Sequence, residues 1–494
     1  MTACGGQYGV ARTDTDNQPM STIDPKVATA ATAPFSGTSF ASLALNPATL
    51  ANLQQLGYLA MTPIQAASLP SALAGKDLIA QAKTGSGKTA AFALALLAQL
   101  NPRRFAVQAL VLCPTRELAD QVTTEIRRLA RAADNIKVVT LCGGVALRGQ
   151  RASLEHGAHI VVGTPGRVMD HLAREYLNLE ALNTLVLDEA DRMLDMGFQE
   201  EIGALIAAAP LKRQTLLFSA TYPAEIAAMS AAIQHEPHEV SVDEVHDEGV
   251  IEQLIFEVAK DDRTAAVARL LGHYCPESAL VFCNTRAECQ ELSDALTGLG
   301  FAALAIHGDL EQRERDQVLL RFANRSASVL VATDVAARGL DIKDLPAVIN
   351  YELPRDPEIH IHRIGRTGRA GEKGLALSLV TPQEGRRVQA IENSLGYSIP
   401  RGDLTALSVS GGRPALPPMV TLCIDGGRRN KLRPGDILGA LTGEGGMAGS
   451  EVGRIDIFDS QACVAIMRSS AGQALACLGR NRIKGRFFRV RAMV

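Results

Sequence analysis

Ala82-Lys83-Thr84-Gly85-Ser86-Gly87-Lys88-Thr89 lies between a short apolar run, Leu78-Ile79-Ala80, and a longer one, Ala90–Leu100. Glycines allow successive backbone N–H groups to close around phosphate oxygens, and a following helix directs its positive end at the same anion. The spacing therefore predicts a strand, a phosphate-binding loop formed by Thr84, Gly85, Ser86 and Gly87, and a helix. Lys88 is placed to neutralise terminal phosphates, and the Thr89 hydroxyl to ligate Mg²⁺. Ala82 stands where the general pattern has its first glycine.

Such a loop needs an acidic partner at the end of a neighbouring strand. Leu185-Val186-Leu187-Asp188-Glu189-Ala190-Asp191 supplies one. Asp188 would coordinate the metal, and Glu189 would orient or deprotonate an attacking water. Two carboxylates after a strand also suit a helix N-terminus. Here the phosphate loop decides for the metal.

Farther out, Ala109–Cys113, Ile160–Val162 and Thr215–Phe218 are strand-length apolar runs separated by helical stretches. Strands apolar throughout indicate a parallel sheet covered on both faces. This unit is placed at 38–240, after an Ala-, Thr- and Ser-rich arm, 1–37, expected to be disordered. A polar, acidic stretch at 241–250 reads as a linker. The alternation then restarts at Leu280–Phe282, Leu304–Ile306, Val329–Val331, Val348–Asn350 and Ala376–Leu379, giving a second α/β domain at 251–398. Prolines mark another linker at 399–417. The tail, 418–494, reads βαββαβ, the order of an RNA-recognition motif.

The net charge of −3 conceals a division. The tail carries 12 Lys and Arg against 6 Asp and Glu, whereas the remainder carries 38 against 47. A basic module on an acidic body points to a polyanionic partner for the module. No apolar run is long enough for a bilayer span, so no membrane attachment is expected. The start lacks the basic and apolar stretches of a signal peptide. Nine cysteines without a CxxC pair fit thiols in a reducing cytoplasm.

Asp188-Glu189-Ala190-Asp191 beside this loop resembles the DEAD-box RNA helicases, and the family's other motifs follow in order from about Phe40 to Pro382. The resemblance implies two tandem RecA-like P-loop domains, ATP with Mg²⁺ and RNA as partner; a monomer is the default expectation. Phe40 and Gln65 resemble the adenine-reading element. Thr115 and Arg116, Gly144, and Thr164 with Arg167 match RNA-backbone elements of the first domain. Arg286, Gln312 with Arg315, and Thr333 match those of the second. Asp341 falls where the family approaches the ribose. Arg366 and Arg369 of His362-Arg363-Ile364-Gly365-Arg366-Thr367-Gly368-Arg369 would reach the γ-phosphate. Ser219 and Thr221 match the element coupling hydrolysis to strand separation, and His362 would connect it to the metal site.

The tail resembles the C-terminal domain of the DbpA subfamily. That resemblance implies anchoring to 23S ribosomal RNA, near the peptidyl-transferase-centre hairpin, in a pre-ribosomal large subunit. Arg428, Lys431, Lys484 and Arg486 are the candidate contacts, in two dense basic segments. The strand Ala462–Met467 has no aromatics, so binding is expected at basic edges rather than by stacking on the sheet. Three alternatives stay open: a DNA translocase, an RNA helicase without rRNA preference, and an RNA clamp that barely hydrolyses ATP.

Overall fold

The computed structural model describes residues 37–493, apart from 83–84, 134, 243–250, 338–344, 369–372 and 409–413. The expected arm, most of the first linker, and the site residues Thr84, Asp341 and Arg369 lie outside the described residues.

The first domain contains β1 (Leu78–Gln81), β2 (Ala109–Leu112), β3 (Val138–Leu141), β4 (Ile160–Gly163), β5 (Thr184–Asp188), β6 (Gln214–Ser219) and β7 (His238–Ser241). They form one parallel sheet in the order β3-β4-β2-β5-β6-β1-β7. Alternate residues of each central strand enter separate cores. Ala109, Val111, Val186 and Phe218 pack with the Lys88–Ala98 helix on one face. Leu110, Leu112, Leu185 and Leu187 pack with Met193 and Ile202 on the other. Burial on both sides is why these strands read as solid apolar runs.

The second domain repeats this design. Its strands are β8 (Ile251–Glu257), β9 (Ala279–Cys283), β10 (Ala303–Ile306), β11 (Val329–Thr333), β12 (Ala347–Asn350), β13 (Gly374–Val380) and β14 (Arg401–Gly402). The order β10-β11-β9-β12-β13-β8-β14 is that of the first sheet, strand for strand. After β8, however, comes Val258-Ala259-Lys260, with no glycine to wrap a phosphate. The architecture is repeated while the phosphate loop is present once.

Four strands escape a search for apolar runs. In β7 only Val240 is buried, and in β8 polar Glu252, Gln253 and Glu257 flank a short apolar stretch of which only Ile255 and Phe256 are buried. Edge and half-covered strands take that pattern. β3 carries the half-buried polar Thr140, and β14 has only two residues, paired with Ile255 and Phe256. The second sheet thus extends into 399–417, the segment expected to be a linker, and Leu404 and Leu407 pack on its core.

The tail folds as β15 (Met419–Ile424), β16 (Val452–Ile457), β17 (Ala462–Met467) and β18 (Val490–Ala492), antiparallel in the order β16-β17-β15-β18. Helices Pro434–Gly439 and Ala471–Arg480 complete the βαββαβ order. Leu422, Ile424, Val464 and Ile466 face the helical side, with Ile437 and Leu478. On the opposite face Cys423 and Cys463 pack on Leu320 of the second domain. Thr421 Oγ1 lies 2.7 Å from Ser326 Oγ and accepts from Asn324 Nδ2 at 3.2 Å. The centre of the sheet face that an RNA-recognition motif usually offers to bases is therefore covered by the chain's own second domain. This accounts for the small, non-aromatic residues there. No described helix is long and apolar enough to cross a membrane.

Candidate nucleotide and RNA sites

The register of the first sheet assembles the nucleotide site. Gln81 of β1 pairs with Ser219 of β6, and Phe218 of β6 with Asp188 of β5. The phosphate loop, the Ser219 element and the acidic pair thus leave the carboxyl ends of three neighbouring strands, where open α/β sheets bind ligands.

Gly85 and Gly87 take left-handed backbone, with φ of 91° and 100°, which glycine adopts without steric cost. A Cβ on Gly87 would also meet Gln65 Nε2 at 2.5 Å. Gln65 Nε2 donates to the Gly87 carbonyl at 3.0 Å, and its Oε1 accepts from Thr62 N–H at 3.0 Å. The amide expected to read adenine therefore clamps the loop in this conformation. Phe40 is 4% exposed and meets Tyr58 edge-to-face, with ring centroids 6.3 Å apart. It belongs to the core and leaves little ring surface for a base. Lys88 Nζ donates to the Ala82 carbonyl at 2.6 Å, which holds the amine over the loop. Ser86 Oγ is buried and has no hydrogen-bond partner among the described residues.

Burial pushes the Asp188 carboxyl up to about 7, against the pull of the Lys88 cation and with help from Glu189. Glu189 is left-handed, φ 53° and ψ 53°, a costly backbone for a non-glycine residue that clusters at functional sites. Its Oε2 is 3.8 Å from Arg192 Nε. Asp191 Oδ2 accepts from Ala220 N–H at 3.2 Å, Thr221 N–H at 3.0 Å and Thr221 Oγ1 at 3.1 Å. Its own N–H donates to Ser219 Oγ at 3.3 Å. Burial alone would raise the Asp191 carboxyl, but the Thr221 donor and the Arg192 charge hold it below its usual value. The acidic segment and the Ser219–Thr221 element are thus one hydrogen-bonded unit.

The second domain closes on this unit with the Pro357–Ile364 helix. His362, Arg363 and Arg366 line a small cavity with Arg192 of the first domain. Burial, then the Arg192 and Arg366 charges, pull the His362 imidazole down to about 3, so it is neutral at ordinary pH. Arg363 plays another part. It is fully buried, grips Asp334 through two bonds of 2.7 and 2.8 Å, and also donates to Asn350, Glu352 and Asn284.

Comparison with known proteins agrees with this geometry. Residues 62–229 match the DEAD/DEAH box helicase family, 262–371 the helicase conserved C-terminal domain, and 421–492 the DbpA RNA binding domain. The chain is 52% identical to the ATP-dependent RNA helicase DbpA of Escherichia coli, over 92% of this chain and 100% of that one. This chain belongs to the DEAD-box ATP-dependent RNA helicases, in the DbpA subfamily. The helicase CshA of Bacillus cereus is 44% identical over 75% of this chain and 70% of its own. S. cerevisiae Dbp5 bound to RNA and ADP BeF3 superposes with a TM-score of 0.68 at 32% identity, covering 74% of this chain and 96% of that one.

Several motif residues of this helicase meet across the cleft. Thr115 caps the Arg116–Leu129 helix, accepting from Leu118 N–H at 3.3 Å. Arg116 Nη1 donates to the Gly143 carbonyl at 3.4 Å. Arg167 fixes the same loop, donating to the Val145 carbonyl at 2.8 Å and Gln150 Oε1 at 3.0 Å. Thr164 stands at the head of the adjoining Pro165–Ala173 helix. A Cβ on Gly144 would press on Arg116 at 2.7 Å and on Gln312 of the second domain at 3.5 Å. Arg315 Nη2 lies 3.2 Å from Glu117 Oε1, and Gln312 Nε2 donates to the same oxygen at 3.4 Å. Gln312 and Arg315, expected to hold RNA, here join the two domains through Glu117. Arg286 pairs with Asp309 at 2.5 Å, and Thr333 is buried at the end of β11.

In the tail, Lys484 Nζ donates to the Lys431 carbonyl at 2.9 Å and lies 3.5 Å from Asp436. Arg428 is 3.8 Å from Asp459, with both side chains largely exposed. The two basic segments, 53 positions apart in the chain at Lys431 and Lys484, are joined at one end of the sheet. Arg486 is exposed beside them. Residue-by-residue reading missed Glu117, Asp191, Arg192 and Arg363. All but Arg192 lie inside motifs already recognised, yet nothing in a linear motif separates a hub from a spacer.

Proposed function

We propose that this helicase unwinds short RNA duplexes by ATP- and RNA-driven domain closure, and that its tail directs it to 23S ribosomal RNA during large-subunit assembly in the cytoplasm. The observation that carries this reading is the docking of a basic RNA-binding module on the second domain. Leu320, which meets the tail, lies on the same Gln312–Ala323 helix as Arg315, which faces the cleft. An RNA held by the tail would lie beside the motor, raising the local concentration of its neighbouring duplexes.

The Thr89 hydroxyl and the Asp188 carboxylate would hold Mg²⁺. A buried, under-compensated carboxyl beside the loop fits a cation. When bound, the metal neutralises phosphate charge. Loop N–H groups and the unpartnered Ser86 hydroxyl would orient the phosphates, and Lys88 would leave Ala82 to meet them. Glu189 would take a proton from the attacking water. Arg366, with Arg369, would stabilise charge spread over the transferring phosphoryl group, a role worth a factor of about 10³–10⁵ in comparable enzymes. Gln65, on leaving Gly87, and Asp341 would hold the adenosine, while Phe40 would support them from the core. Asp191 would pass the state of this site to Ser219 and Thr221, and so to the RNA groove formed around Thr115, Arg116, Gly144, Thr164 and Arg167, with Arg286 and Thr333 opposite.

ATPase stimulation distinguishes the rRNA reading from general RNA remodelling. The full-length enzyme should turn over ATP faster with a 23S fragment containing the peptidyl-transferase-centre hairpin than with unrelated structured RNA of equal length. Equal stimulation would refute the anchoring.

A further inference from the structure

With the centre of its sheet face covered, the tail lacks the usual platform for a base there. The end where its two basic segments meet offers something else. Phe488 turns inward: a Cβ on Gly426 would meet its ring at 2.3 Å, and it packs against the tail core. Phe487, its neighbour, points outward and is 61% exposed. The Arg482 guanidinium lies over the Phe487 ring, 5.1 Å from the centroid. A ring covered by a cation on one face and open to solvent otherwise is poised to take a flat aromatic partner.

The surrounding backbone is held firmly. Ile483 and Arg486 exchange backbone hydrogen bonds of 2.8 and 3.1 Å around a tight turn. The turn runs through left-handed Lys484 and Gly485, with φ of 52° and 78°. Lys484 ties it to Lys431 at 2.9 Å. The Lys431 segment is itself anchored, since Arg428 N–H donates to the Phe458 carbonyl at 2.8 Å and Arg429 N–H to the Asp459 carbonyl at 3.0 Å. An exposed phenyl ring on a rigid loop has little ordering entropy left to lose on binding.

We propose that Phe487, backed by Arg482, is a stacking platform for one unpaired base of the RNA held by the tail. Arg486 and Arg428 would receive the flanking phosphates. The partner is a hairpin loop or bulge rather than a continuous duplex, because only an unstacked base can present its face. The proposal rests on the tail's RNA-binding character but is independent of which RNA it prefers.

The test uses the full-length protein and three probes: the 23S hairpin fragment, a hairpin with the same stem and a scrambled loop, and a blunt duplex of that stem. Phe487→Ala should weaken binding to loop-containing probes by about tenfold. Binding to the blunt duplex should change far less, and Phe487→Trp should restore the loss. Arg482→Gln should give a smaller loss with the same loop dependence. A 2-aminopurine placed in the loop should be quenched by the wild type and not by Phe487→Ala. Equal losses on all three probes, or no loss on the loops, would overturn the platform. If the wild type binds the scrambled loop as well as the 23S loop, the rRNA reading fails while the platform stands.

Discussion

Asp188 shows how one residue can be tuned against its neighbours. Burial among Glu189 and Asp191 pushes its carboxyl up to about 7, and Lys88 compensates only in part. A carboxyl with a raised pKa is favoured protonated, and that preference is lost as pH rises through about 7. Metal binding requires the opposite form. Apparent affinity for magnesium–ATP should therefore fall on acidification, by roughly eightfold between about pH 7.5 and pH 6 from the ionised fraction alone. Titrating the ATP dependence of hydrolysis across this range at fixed magnesium checks the sign. A flat profile would show that Asp188 is not held protonated near neutral pH before the metal binds. His362 contributes nothing in this window, since burial and Arg192 keep it neutral down to about 3.

At the scale of the element, the Pro357–Ile364 helix divides its work between two faces. His362 turns toward Arg192 and the first domain, whereas Arg363 turns into its own domain. The four hydrogen-bond partners of Arg363 among the described residues tie β9, β11 and β12 to this helix, because Asn284, Asp334 and Asn350 follow or end those strands. Removing one member of a buried charged pair strands the other. Arg363→Ala should cost about 3–5 kcal/mol of stability in the second domain, read from denaturant unfolding. The guanidinium is also 5.0 Å from the centre of the Phe282 ring, so Arg363→Lys should recover only part of the loss. A loss below about 1 kcal/mol would show that these bonds contribute little.

At the scale of the molecule, two domains of identical strand order carry half a site each. Glu117 is the join, held by Arg315 at 3.2 Å and Gln312 at 3.4 Å from the opposite domain. If closure links the two ligands, each must raise the other's affinity by one common factor. Glu117→Ala should shrink that factor several-fold in both directions. RNA affinity measured with and without a non-hydrolysable ATP analogue, and analogue affinity with and without RNA, give the two halves. An unchanged factor would mean that this contact is incidental to closure.

Much of this was legible in the chain. Strands buried on both faces must be apolar throughout, so the central strands of both sheets stand out. The phosphate loop, the acidic segment and the tail's βαββαβ order are local patterns and read directly. β3, β7, β8 and β14 did not: three are edge strands and β8 lies beside one, and such strands need less apolar surface and take their place from their neighbours. Packing alone decided that Gln65 clamps the loop, that Phe40 is core, and that Arg315 meets Glu117. Each depends on side chains brought together from distant segments. The tail shows the same limit most plainly. Its sequence determined a basic module with a non-aromatic sheet, but only the tertiary structure showed that sheet pressed on Leu320 and Ser326, leaving Phe487 exposed at the rim. Local composition sets what a segment can bind, and burial against the rest of the molecule decides which of its faces is left to do so.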